Sequence, residues 1–115
     1  MRLALGTLIV ILAFGAAAYQ TPDGATPASS PNRITVKNFG FDPPALTVPV
    51  GTEVEWVDEL GRHTVTADNG SFKSGPLTAG GSFKHRFDKA GVYRYYCELH
   101  GSKGGHDMAG VVTVK

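Results

Sequence analysis

Residues 91–100 read Gly91-Val92-Tyr93-Arg94-Tyr95-Tyr96-Cys97-Glu98-Leu99-His100, and the spacing within them decides the fold. Tyr93, Tyr95 and Cys97 fall on one side of a period-two repeat and Arg94 and Tyr96 on the other, the mark of a half-buried β-strand. The same alternation recurs outward along the chain. Ile34 and Val36 alternate with Thr35 and Lys37, Leu46 and Val48 with Thr47, and Val54 and Trp56 with Glu53 and Glu55. Phe83, His85 and Phe87 alternate with Lys84 and Arg86, and Val112 and Val114 close the chain. Turn residues stand between these runs at Asp42-Pro43-Pro44, Pro49-Val50-Gly51, Asp68-Asn69-Gly70, Gly80-Gly81 and Asp88-Lys89-Ala90-Gly91. No stretch carries a helical period of useful length and no internal repeat is visible. Short strands with turns at this frequency predict an all-β chain folded as an antiparallel sandwich or barrel.

Composition narrows the class. A chain of 115 residues has room for one domain, which excludes multidomain enzymes. With 42% hydrophobic and 18% charged residues and 15 glycines, it is globular and turn-rich rather than disordered or coiled. A formal net charge of +1 supplies no field to hold nucleic acid or an anionic membrane surface. Cys97 is the single cysteine, which excludes an internal disulfide framework, a binuclear thiolate site and zinc sites built on CxxC pairs.

The N-terminus reads as an address. Arg2 precedes the apolar run Leu3 to Phe14, and Gly15-Ala16-Ala17-Ala18 offers the small residues a signal peptidase accepts, so residues 1–18 are expected to form a secretory signal. An uncleaved anchor is the alternative, and the domain would touch a membrane only in that case. Either way the domain is expected outside the cytoplasm, in a periplasm or its equivalent. Residues 19–32 contain Pro22, Pro27 and Pro31 without apolar period and read as a flexible leader, leaving 33–115 as the folded domain. Loss of Arg2 with the signal leaves equal numbers of positive and negative charges, so long-range steering is weak.

The chemistry sits at the C-terminal side of the deciding stretch. Cys97 and His100 are followed by the glycine-rich residues 101–107 and then Met108, while His63 opens the alternating run His63-Thr64-Val65-Thr66-Ala67 far upstream. Two imidazoles and one thiolate with a thioether beyond form a soft, mixed donor set, the arrangement of blue-copper electron-transfer sites, which accommodates both Cu(I) and Cu(II). Cys97 is expected to end a strand, the following turn to return His100 and Met108 to one point, and His63 to fasten that point from the start of another strand.

On these residues the chain resembles the small blue copper proteins, or cupredoxins, of the plastocyanin, amicyanin and pseudoazurin group. The likeness covers nearly all of Arg33 to Lys115. It is carried by Phe39-Gly40-Phe41-Asp42-Pro43, Leu46-Thr47-Val48-Pro49-Val50-Gly51, Val54-Glu55-Trp56-Val57, His63-Thr64-Val65, residues 90–100 and Met108-Ala109-Gly110-Val111-Val112-Thr113-Val114. The resemblance implies a single-domain Greek-key β-sandwich with one mononuclear copper held by His63, Cys97, His100 and Met108. Three positions depart from the family pattern. Asp58 stands two residues after Trp56, where the family usually has an Asn that helps fasten the two ligand loops; a carboxylate accepts hydrogen bonds but cannot donate one when ionised. Arg62 precedes His63 where the relatives often carry Pro. The His100 to Met108 loop is longer than in most plastocyanins and contains His106.

Each site residue also has a bland reading. Cys97 alone reads as a buried small hydrophobe, and only His100 and Met108 nearby turn it into a ligand. Met108 alone reads as core filling, His85 between Phe83 and Phe87 as a hydrogen-bonded boundary histidine, and His106 as a solvated loop residue rather than an axial ligand. Tyr96, opposite in parity to Cys97, reads as a surface aromatic. The expected electron port is the edge of His100, rimmed by Leu99, Gly101, Gly104, Gly105 and Leu60. The expected function is one-electron shuttling between transient redox protein partners by a monomer without catalytic turnover. The alternative is a module for copper storage, delivery or buffering. A multicopper oxidase or nitrite reductase would need a His beside the Cys for a second copper, and Glu98 occupies that position.

Overall fold

The structure, a computed structural model, describes residues 32–115; the signal expected over 1–18 and the leader from residue 19 to 31 lie outside the described residues. Eight strands follow in order: β1 (Arg33–Lys37), β2 (Gly40–Asp42), β3 (Ala45–Val48), β4 (Thr52–Asp58), β5 (Thr66–Ala67), β6 (Ser82–Phe87), β7 (Gly91–Ser102) and β8 (His106–Val114). Among the described residues no helix is long and apolar enough to cross a membrane. Asn32 is already bonded to the sheet, its carbonyl accepting from Glu55 N–H and its side chain donating to Glu53 O.

Two four-stranded sheets form, in the orders β2-β1-β4-β6 and β3-β8-β7-β5. The all-β architecture agrees with the alternation of residues, but the strands are not all antiparallel: β1 runs parallel to β4, and β3 parallel to β8. Asp42-Pro43-Pro44 is the cause. Neither proline carries an N–H to continue the β2 ladder, so the chain leaves the first sheet there and β3 joins the second beside the C-terminal strand. When the chain returns as β4, it meets β1 without a hairpin between them. A period-two pattern assigns faces and is silent on strand direction, which is why the parallel pairs escaped it.

Trp56 joins the two layers. Fully buried on β4, its ring meets Tyr95 of β7 edge-on at 5.4 Å and packs against Phe72 at 5.6 Å and Phe83 at 5.7 Å. Ile34, Val36, Val54, Val112 and Val114 fill the space around these rings. Each such aliphatic or Phe side chain contributes roughly 1.5–3 kcal/mol when fully buried. His85 is half-buried and held by ring packing, 4.7 Å from Phe72 and 4.8 Å from Phe87, rather than by the expected hydrogen bond. Burial lowers its pKa below the ordinary histidine value, with Asp88 opposing. Its contribution to stability is therefore complete above the ordinary value and is lost as pH falls through the depressed one.

The pairing that shapes the site is between β7 and β8. Contrary to expectation, β7 does not end at Cys97 but runs on to Ser102, and β8 pairs with it again at Gly101↔Asp107 and Ser102↔His106. Register shifts between Tyr96↔Ala109 and Gly101↔Asp107, so Cys97 to His100 stand opposite the single residue Met108. Gly104 and Gly105, at φ of 89° and 82°, close the hairpin in a conformation that side chains resist.

Below the shift, Gly110 faces Tyr95 across the ladder, and a Cβ there would overlap the tyrosine hydroxyl and come within 3.1 Å of the Pro44 carbonyl. Gly110→Ala is expected to destabilise the fold by about 1–3 kcal/mol in urea unfolding. Adding Tyr95→Phe should restore little of the loss, since the ring carbon that carries the hydroxyl would overlap the new Cβ as well.

Candidate metal centre

His63 lies in a clamped loop rather than at the start of a strand. Its backbone N–H donates to Leu77 O at 3.0 Å and its carbonyl accepts from Leu77 N–H at 2.7 Å. The alternating run that it opens spends its backbone bonds on the neighbouring loop, Val65 N–H on the Ser74 hydroxyl and Ala67 N–H on Phe72 O, and pairs with β7 only at Thr66 and Ala67. All five residues from His63 to Ala67 are buried, so the expected alternation does not separate an inner from an outer face here, and the partner is mostly a loop.

Three donor atoms converge from this loop and from the shifted segment of β7. Cys97 Sγ lies 3.8 Å from His63 Nδ1 and 3.6 Å from His100 Nδ1, and the two nitrogens are 3.2 Å apart. A triangle with these sides has its equidistant point about 2.1 Å from each corner, close to the ~2.0–2.1 Å of a metal–imidazole bond and the ~2.3 Å of a metal–thiolate bond. The residues therefore fit one small metal ion, and a three-cornered set of two nitrogens and one sulfur suits copper in both oxidation states. Among the described residues this is the cluster of His, Cys and acidic groups able to hold a metal. His63 and Cys97 are buried while His100 reaches solvent. Met108 is buried to 1% exposure on β8, its backbone pressed against Gly101 directly after His100. His106 is exposed at the hairpin and outside the cluster.

Hydrogen bonds aim the donors. His63 Nε2 is 2.8 Å from Leu60 O and 2.8 Å from Asn38 Oδ1, which turns Nδ1 toward Cys97 and His100. Thr64 ties the two ligand segments together, its backbone N–H donating to Cys97 Sγ at 3.4 Å and its hydroxyl oxygen accepting from Glu98 N–H at 2.8 Å. That fastening role, associated in the family pattern with the position of Asp58, thus belongs here to Thr64. Asp58 is fully buried, with one oxygen accepting Leu60 N–H at 3.0 Å and the other unpartnered. Arg62 is exposed and carries no salt bridge among the described residues.

Sequence reasoning missed Asn38, Thr64 and Phe39 as site residues. Phe39 is 68% exposed, yet its ring lies 4.8 Å from that of His100. It extends the expected rim of Leu60 and Leu99, both more than half exposed. The signals were faint: Asn38-Phe39 is separated from His63 by more than twenty residues of chain and joins it only when β1 and β4 lie side by side. Thr64 follows a suspected ligand, and that adjacency was the one available clue.

Comparison with known proteins agrees with this geometry. The sequence profile of copper binding proteins of the plastocyanin/azurin family matches residues 29–115. A plastocyanin of Scenedesmus fuscus is 34% identical over 87 residues, covering 65% of this chain and 86% of the relative. A halocyanin of Natronomonas pharaonis is 39% identical over 83 residues, covering 67% of this chain; the chain spans about half of that protein, 49% of its length. Among solved structures, a purple cupredoxin from Nitrosopumilus maritimus superposes with a TM-score of 0.58 at 33% identity, over 72% of this chain and 98% of the other. A copper-containing nitrite reductase from Thermus scotoductus aligns with a TM-score of 0.64 at 27% identity, over 90% of this chain but 25% of the reductase, so the fold also occurs inside an enzyme.

Burial raises the Asp58 pKa, against the pull of the Leu60 N–H and the charge of His63. A carboxyl group held above its unfolded value favours the fold at low pH, and that advantage is lost as pH rises through the raised value. Asp58→Asn keeps an oxygen for Leu60 N–H and cannot ionise. Urea unfolding from pH 3 to 7 is expected to show the variant gaining stability relative to the parent as pH rises, then levelling off; parallel curves would contradict it.

Proposed function

Because the chain belongs to the plastocyanin/azurin family of copper-binding proteins, we propose that it is a type 1 copper electron carrier working outside the cytoplasm. The observation that carries this reading is the donor triangle of His63 Nδ1, Cys97 Sγ and His100 Nδ1, already drawn to bonding size by the fold. In the proposal these three atoms, with the Met108 thioether as a fourth donor, would hold one copper per chain. Copper bound there contributes a one-electron Cu(I)/Cu(II) couple.

The protein's own part is to keep the donors still and dry. Trp56, Tyr95 and their neighbours make a rigid wall behind Cys97, and Thr64 locks the Cys97 segment to the His63 loop. Rigid donors mean little rearrangement when an electron arrives or leaves, and so a low barrier to transfer. His63 is sealed and His100 reaches solvent, so the electron is assigned to the His100 edge. Phe39, Leu60 and Leu99 around it offer a small apolar rim suited to brief contact with redox partners, which typically buries less than about 1,200 Å². We assign no catalytic turnover: Glu98 fills the place beside Cys97 where a second copper would require histidine, and His85 and His106 lie outside the cluster. Export by the N-terminal segment and a monomeric state complete the proposal.

Cys97→Ala is expected to abolish the intense blue absorption of the Cu(II) form; survival of that band would overturn the assignment. If Met108 supplies the fourth donor, Met108→Leu shifts the reduction potential strongly and His106→Ala hardly at all, and the reverse pattern would assign that donor to His106. Metal exchange separates carrier from store: retention of copper over many redox cycles supports electron transfer, and ready release to a chelator supports delivery.

A further inference from the structure

We propose, on the basis of the copper reading above, that Asn38 is a positioning residue that sets the electron richness of His63 and so tunes the reduction potential of the centre. His63 Nε2 has two oxygen neighbours at the same 2.8 Å, the Leu60 carbonyl and the Asn38 side chain. A carbonyl can only accept, so Nε2 carries the hydrogen; the group that Asn38 presents to that N–H must then be its amide oxygen and not its NH2. Nδ1 is left with its lone pair, directed at the point shared with Cys97 Sγ and His100 Nδ1. One hydrogen thus serves two acceptors, and both push electron density into the ring.

The neighbourhood is shaped to admit this contact. Gly61 sits at a φ of 89°, and a Cβ there would collide with Asn38 Oδ1 and come within 3.0 Å of His63 Nε2. The chain therefore has no side chain, in a backbone conformation that side chains resist, at the point where Asn38 arrives. Asn38 itself stands exposed in the turn between β1 and β2, and the bond to His63 is the one its side chain makes among the described residues. The evident beneficiary of that bond is the imidazole.

The direction of the effect follows from charge. An acceptor on the outer N–H makes the ligating nitrogen more basic and favours Cu(II) over Cu(I), which lowers the potential. An apolar side chain should raise the potential and a carboxylate should lower it further. Removal of an outer partner of a metal-bound histidine changes affinity about 10–100-fold. If that change falls mainly on the Cu(II) state, a tenfold change corresponds to about 59 mV for one electron.

The test measures the copper-loaded parent with Asn38→Leu, Asn38→Ser and Asn38→Asp, together with nitrogen-15 NMR of the histidine rings in the metal-free chain. Expected are potentials ordered Leu and Ser above the parent and Asp below it, with the blue band retained throughout. The metal-free parent should show His63 protonated at Nε2 with a slowly exchanging proton, and Asn38→Leu and Asn38→Ser should speed that exchange. Equal potentials across the set, or a reversed order, would overturn the proposal. So would an Nε2 proton indifferent to Asn38, whatever the metal does. A parent lacking the blue band would instead overturn the copper reading and the tuning with it, while the ring signals still report whether the bond exists.

Discussion

Everything at the metal centre depends on one misfit in a ladder. Between Tyr96↔Ala109 and Gly101↔Asp107, four residues of β7 must be accommodated opposite one residue of β8. The surplus leaves the sheet, and in leaving it brings Cys97 and His100, three positions apart, to one point with Met108 directly across. A regular strand would have placed residues 97 and 100 on opposite faces. The ladder resumes at Gly101, where a side chain would overlap the Met108 backbone, so the bulge is closed tightly on both sides. Cys97 keeps its inward parity with Tyr95 and is buried, which lets the core that holds the sheets together also hold the thiolate.

The second requirement is that every polar group brought into this corner has somewhere to point. Thr64 satisfies two at once, offering its N–H to the sulfur and its oxygen to Glu98 N–H. Threonine suits the task because its single hydroxyl oxygen accepts at short range while its methyl group packs in the apolar corner. Asp58 shows the opposite economy: its side chain is buried with one oxygen unpartnered, and burial disfavours its charge. The loop from Asp58 to His63 is nevertheless pinned at both ends, by Asp58 to Leu60 N–H and by Leu77 to the His63 backbone. A loop so short can place the Leu60 carbonyl under the imidazole only because Gly61 turns it.

How far the sequence foretold this depends on what kind of information each feature needs. Strand faces were legible because alternation is local: Ile34, Val36, Val54, Trp56, Tyr95 and Val112 are all buried as their parity required. The three close donors were legible because imidazole and thiolate chemistry is carried by residue type. Strand direction was not, since the crossing at Pro43-Pro44 rather than any pattern within β1 or β4 makes them parallel. The bulge was hidden for the same reason: the stretch 97–102 keeps a strand-like backbone, and only the register with β8 exposes the surplus. Asn38 and Thr64 were invisible as site residues because each acts through a contact that tertiary structure creates, with His63 or with Glu98 on a distant segment.

The two imidazoles are consequently unequal, although they present the same atom to the same point. His63 is enclosed, gripped at its outer nitrogen by two oxygens and fixed along its backbone, so it is the member through which the protein adjusts the centre. His100 ends at the surface beside the Phe39 ring, with no described hydrogen bond from its outer nitrogen, so it is the member through which the centre meets the outside. Phe39 and Asn38 are neighbours in one turn, one touching each histidine. A single two-residue segment between β1 and β2 thus reaches both the sealed side of the site and its open edge. With a formal net charge of +1, the chain offers little long-range field toward that edge, and in the proposed carrier recognition would fall to the shape and apolar character of Phe39, Leu60 and Leu99. Tuning and contact are divided between the two ligands, and the turn that precedes Gly40 participates in both.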